Sequence, residues 1–259
     1  MIFDSVYVSF LFMKKNYLLL SVLLITLFAS CKKETDDFSE LSIRDYSPNI
    51  VGKYIAYNLD SLLYINFGTK DTTVSYQVKY EVDAAITDNI GRPAYRIIRY
   101  IRKDPSFAWV SDNTFMSIPT TNSVEFVENN LRFISLVRPI RNNYSWRGNA
   151  FIDTYSFESN VKYLNEWDYT YESVNEPLSI GGFNLDSTIT VIQRNEILND
   201  PNNPNVYSEI NIGIEKYAKG LGMVYKKFLH REYQPPPPLS GDQGYSVGYG
   251  ITLTMFDHN

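Results

Sequence analysis

Glu166, Asp168, Thr170 and Glu172 recur at every second position, with Trp167, Tyr169 and Tyr171 between them. On an extended chain, successive side chains point to opposite faces, so the carboxylates gather on one face and the rings on the other. Two carboxylates spaced this way could serve acid–base hydrolysis of a glycosidic bond, or help to hold Ca²⁺. The simpler outcome is an aromatic core face and a wetted acidic face, the usual arrangement of an antiparallel sheet, and that is the expectation here. His230 and His258 are the two imidazoles. His258 lies near the end of the sequence and is expected to fray. His230, between Leu229 and Arg231, is expected at the surface. No Gly-x-Ser-x-Gly elbow accompanies them, so a Ser-His-Asp nucleophile is not expected and no catalytic residue is assigned.

One Cys and two His exclude a disulfide framework, a Cys-rich zinc site and a multi-His metal site. Neither a metal nor a cofactor is expected. The formal charge of −5 leaves no basic surplus to neutralise phosphates, so nucleic acid is not an expected partner. Aromatic side chains are abundant, with 21 Tyr, 15 Phe and 3 Trp. Trp109, Trp146 and Trp167, with Tyr169 and Tyr171, are the candidate ligand-binding residues. They could stack on sugar rings or line an apolar concavity, and core filling is the alternative for each. Arg96, Arg99, Arg102 and Lys103 form a basic stretch, expected to pair with acidic neighbours across a sheet.

Such residues need strands to carry them, and the pattern supplies strands. Val74, Tyr76, Val78, Tyr80 and Val82 alternate with Ser75, Gln77, Lys79 and Glu81, the period of two that marks a half-buried strand. The same period recurs at 185–191, 209–215 and 246–255. Further strands are expected near 51–58, 61–67, 94–103, 107–116, 131–138, 163–172 and 222–233. Asp88-Asn89-Ile90-Gly91 and the polar run from Asn199 to Asn205 mark turns. Pro235 to Pro238 cannot join a ladder and should form a stiff strut. Asn122 with Glu125 resembles a capping box, so a helical turn before residue 131 is an alternative to strand. About ten or eleven strands in hairpins imply an all-β domain, a single curved antiparallel sheet or half-barrel with up-and-down connections and little helix.

The first residues read as an address. Lys14 and Lys15 precede an apolar run from Tyr17 to Ala29, shorter than the roughly 20 residues a membrane-spanning helix needs. A basic stretch, a short apolar stretch and small residues make a secretory signal. Met13 is the expected start, because residues 1–12 lack a basic charge and carry Asp4. Phe28-Ala29-Ser30-Cys31 resembles a bacterial lipobox, with Phe28 in place of the usual Leu. That resemblance implies lipid attachment at Cys31 and cleavage before it. Several acyl chains on one residue give stable anchoring, where one chain gives only marginal binding. The expected organisation is a signal over 1–30, an acidic tether over 31–48 and one β-rich domain over 49–259.

Two further elements carry a broader resemblance. Leu136-Val137-Arg138-Pro139-Ile140 followed by Ser145-Trp146-Arg147-Gly148 is one, and Tyr217 to Tyr225 is the other. Both resemble elements of uncharacterised Bacteroidota outer-membrane lipoproteins, and the second resembles the half-barrel lipoproteins shaped like the LolA/LolB lipid carriers. The resemblance implies an outer-membrane, lipid-anchored location and brings no activity with it. Lys32 to Asp37 is similar to the export signals of surface-exposed lipoproteins in that group. The expected role is a non-enzymatic binding or docking module, with an apolar or glycan ligand or an outer-membrane protein as partner. A lipid carrier and a glycan hydrolase using strand carboxylates are the alternatives. Gly220 and Gly222 are read as a bend between strands, since no helix start follows them for a phosphate loop.

Overall fold

The computed structural model describes residues 41–259. Cys31, the signal and most of the expected tether lie outside the described residues. The domain is almost entirely β. Its strands are β1 (Tyr54–Ile65), β2 (Lys70–Thr87), β3 (Pro93–Arg102), β4 (Val110–Pro119), β5 (Ser123–Glu128) and β6 (Leu131–Val137). The chain continues through β7 (Ser145–Arg147), β8 (Asp168–Ile180), β9 (Phe183–Leu198), β10 (Ser208–Ala218), β11 (Gly222–Gln234) and β12 (Tyr245–His258). A single 3₁₀ turn, Lys162–Leu164, precedes β8.

All twelve strands form one antiparallel sheet, in the order β6-β5-β4-β3-β2-β1-β12-β11-β10-β9-β8-β7. Each strand beside its sequence neighbour gives the up-and-down path expected from the hairpin signals, and β1 pairs with β12 to join the two halves. The sheet curls further than a half-barrel. Its edges β6 and β7 meet, so that Ile134 N–H donates to the Gly148 carbonyl at 2.6 Å.

Side chains complete this seam. The Trp146 indole N–H donates to the Ile134 carbonyl at 2.7 Å. The Tyr171 hydroxyl accepts from Val137 N–H and donates to the Val137 carbonyl, both at 2.8 Å. An open sheet edge otherwise leaves such backbone groups unpaired. Gly148 is required here for space: a Cβ on it would sit 2.2 Å from ring atoms of Tyr169.

Inward and outward faces follow the register. In β2 the inner face carries Tyr76, Val78 and Tyr80, and in β8 it carries Tyr169 and Tyr171, flanked by Trp167 just before the strand. β10 reverses the simple hydrophobic pattern. Asn211, Gly213, Glu215 and Tyr217 are buried, while Ile210, Ile212 and Ile214 are half-exposed. Gly220 and Gly222 have φ of 77° and 114° in the turn that joins β10 to β11, the bend expected of them.

Three local expectations need correction. Residues 123–128 form strand β5, not a helical turn, because their backbone groups pair with both β4 and β6. The two short strands expected near 51–58 and 61–67 are one strand, continuous against β2. Residues 41–48 belong to the packed domain. Ile43 and Tyr46 are buried in the main core, and the Gly220 N–H donates to the Asp45 carbonyl at 2.7 Å.

Candidate functional site

The interior divides along its length. Beneath β6–β8 it is filled: Trp146 lies 4.5 Å from Tyr171 and 5.8 Å from Tyr169, centroid to centroid, and Trp167 lies 5.6 Å from Phe228. Toward the rim where β1 begins, the interior leaves a cavity of about 130 Å³. Tyr46, Ser47, Pro48 and Asn49 lie along it, so the segment that packs against the core also lines the cavity. Its walls are mainly apolar, with Tyr57 from β1, Tyr80 from β2, Ile97 from β3, Phe126 from β5 and Met223 from β11.

The buried charged lining comes from three strands. Glu128 ends the inward series Val124, Phe126 of β5. Glu215 is inward on β10, and Lys226 faces it across the β10–β11 ladder. The Lys226 ammonium is 3.2 Å from a Glu128 oxygen and 3.4 Å from a Glu215 oxygen. The Tyr217 hydroxyl donates to Glu215 at 2.5 Å. Burial alone would lower the Lys226 pKa, but Glu128 and Glu215 outweigh it and the net displacement is upward. Lys226 is therefore charged throughout the physiological range.

The phenols around it stay neutral. Burial, reinforced by Glu215, pushes Tyr217 well above its ordinary value, and burial pushes Tyr80 up to about 12. They act as hydrogen-bond donors and apolar walls. Ser117, on β4, also lines the cavity. It is 2% exposed, and its Oγ has no hydrogen-bond partner among the described residues. A buried hydroxyl without a partner costs about 1–3 kcal/mol, and the Ser117 Oγ stands at the cavity wall able to take a hydrogen bond.

The residues singled out in the sequence fall elsewhere. Trp146, Trp167, Tyr169 and Tyr171 come together, as the filled part of the core; Trp109 is apart from them. It lies beside Tyr54 and Phe256 in a second hollow, with the Arg102 guanidinium 4.2 Å from its ring. Asp168 and Glu172 are exposed, on the wetted face expected of them, and Glu166 sits at φ 60° before the strand. Arg96 pairs with Asp83 and Arg99 with Asp112, the cross-strand pairing expected, while Arg102 donates to Gln77.

His230 is not at the surface. It is 7% exposed, stacked on Tyr163 at 4.0 Å, with Nδ1 2.8 Å from the Asn211 side-chain oxygen. Its inward register beside Phe228 on β11 accounts for this, since Lys226, Lys227 and Arg231 nearby in the sequence suggest an outer face. His258 is held in β12 opposite Ile55, not frayed.

Glu128, Glu215, Lys226 and Ser117 were missed. The signal was a charge placed on the apolar side of an alternation, as in Val124-x-Phe126-x-Glu128 and Val224-x-Lys226-x-Phe228. No group of three or more His, Cys, Asp and Glu among the described residues could hold a metal ion. No helix among them is long and apolar enough to cross a membrane. No protein-family model matches the chain, and no curated protein matches it.

Proposed function

We propose that this chain is a lipid-anchored bacterial envelope protein that binds a small amphipathic ligand inside its barrel, without catalysing a reaction. The observation that carries the binding reading is the cavity itself: apolar walls, a few convergent polar groups, and the unpartnered Ser117 hydroxyl. Ligand sites combine these features. Its size argues for a small ligand. A cavity of about 150 Å³ takes one benzene, so a space of about 130 Å³ suits one ring and not a lipid's acyl chains. This favours a small-molecule binder over the lipid-carrier alternative.

The envelope location rests on the basic and apolar residues before Cys31 and on the lipobox-like Phe28-Ala29-Ser30-Cys31. Two measurements test the proposal. Cells fed labelled palmitate should mark the chain, and Cys31→Ser should abolish the mark; an unlabelled native chain would overturn the anchor. Native mass spectrometry of chain extracted from its own membrane should show one small molecule per polypeptide. A bare polypeptide mass that gains nothing on exposure to a cell extract would overturn the binding reading.

A further inference from the structure

The buried charge along the cavity is unbalanced among the described residues. Glu128 and Glu215 share one ammonium, Lys226, and all three line the same space. Lys53 also reaches the cavity, but at the exposed rim, where its ammonium is engaged by the Asn259 carbonyl oxygen at 2.5 Å. Solvent screens a charge there, whereas an inner pair is screened much less. Among the described residues, the inner cluster therefore carries two carboxylates against one cation. The phenols beside it, Tyr57, Tyr80 and Tyr217, are all held neutral by burial and add no charge.

Ser117 supplies an independent sign of a ligand. Its Oγ lines this cavity, fully desolvated and without a partner among the described residues. A hydroxyl can accept from an N–H as readily as it donates. The rings of Tyr57, Tyr80 and Phe126 line the same space, and aromatic rings attract a nearby cation.

Resting on the interior-binding reading above, we propose that the ligand is an organic cation: a protonated amine on an apolar body about one ring in size. Its ammonium takes the place of the missing positive charge beside Glu128 and Glu215, and Ser117 accepts one of its N–H groups. Its apolar body lies against Tyr57, Tyr80 and Phe126. An anionic ligand would meet the surplus carboxylate in a desolvated space and be rejected.

Three isosteric probes separate the charge from the shape: benzylamine, benzyl alcohol and benzoate, titrated calorimetrically into the full chain held in detergent micelles. Benzylamine should bind at least ten times more tightly than benzyl alcohol, and benzoate should give no heat. In Glu128→Gln, checked for an unchanged far-ultraviolet spectrum, the advantage of benzylamine should fall to threefold or less. Benzoate or benzyl alcohol binding to the unmutated chain as tightly as benzylamine would overturn the cation and leave interior binding standing. No binding by any of the three would overturn both.

Discussion

The two sides of the barrel interior solve the same problem in opposite ways. Under the seam, Trp146, Trp167, Tyr169 and Tyr171 fill the space with rings, and the hydroxyl and indole groups of Tyr171 and Trp146 serve the backbone of the facing edge. Toward the rim, Glu128, Glu215, Lys226 and Ser117 are also inward, and the space beside them stays hollow. The first side uses the polar atoms of Tyr171 and Trp146 to close a sheet, and leaves the buried Trp167 indole N–H without a partner among the described residues. The second keeps polar atoms buried and incompletely paired, which lowers stability and is retained where a site needs it.

Breaking each side should give effects of different kinds. Trp167→Ala removes the largest fully buried side chain, and should cost about 4 kcal/mol of unfolding free energy in urea. Lys226→Met leaves two inner carboxylates without a counter-charge, and should cost about 3 kcal/mol by the same measurement. Adding Glu128→Gln and Glu215→Gln to it should recover most of that loss, a rescue with no counterpart on the ring-filled side. Tyr171→Phe keeps the ring but strands the Val137 N–H and carbonyl. It should cost about 1–2 kcal/mol and speed hydrogen exchange in β6 specifically.

Ser117→Val sharpens the contrast in the other direction. It replaces an unpartnered buried hydroxyl by a methyl and adds a second methyl at the cavity wall, and should raise stability by about 1 kcal/mol while weakening ligand binding. The smallest effect is one of pH. Burial holds the His230 pKa below its ordinary value of 6.5, outweighing the pull of Glu232 and Glu209. The neutral ring is thus preferred when folded. Its contribution is complete above about pH 6.5 and is lost as the pH falls toward the lower folded value. Urea midpoints between pH 7.5 and 5 should fall less steeply in His230→Gln than in the unmutated chain.

Much of the fold was legible because strand alternation is local. The runs 74–82, 185–191 and 246–255 announced β2, β9 and β12, and Gly220 announced its turn. The curling of the sheet until β6 met β7 was not legible, since it depends on contacts such as Tyr171 to Val137 that join residues far apart in sequence. Alternation also does not say which face is inner. In β10 the three isoleucines form the apolar half of the alternation, yet Asn211, Glu215 and Tyr217 are the buried ones. The cavity was hidden for the same reason: Glu128 and Lys226 look like solvated charges until the register of neighbouring strands shows them sharing the inside with Phe126 and Phe228. The carboxylates that did attract notice, Asp168 and Glu172, stand where water reaches them.

The order of strands around the ring has a kinetic consequence. Among the described residues, every ladder but one joins strands that follow each other along the chain; the exception is β1 with β12. Hairpins of neighbouring strands can form within microseconds. Bringing β1 to β12 must instead gather nearly the whole domain, and contacts of such long separation are what slow the folding of β proteins. The fibre of hairpins is quick to make, and its first and last members meeting is the step that sets the pace.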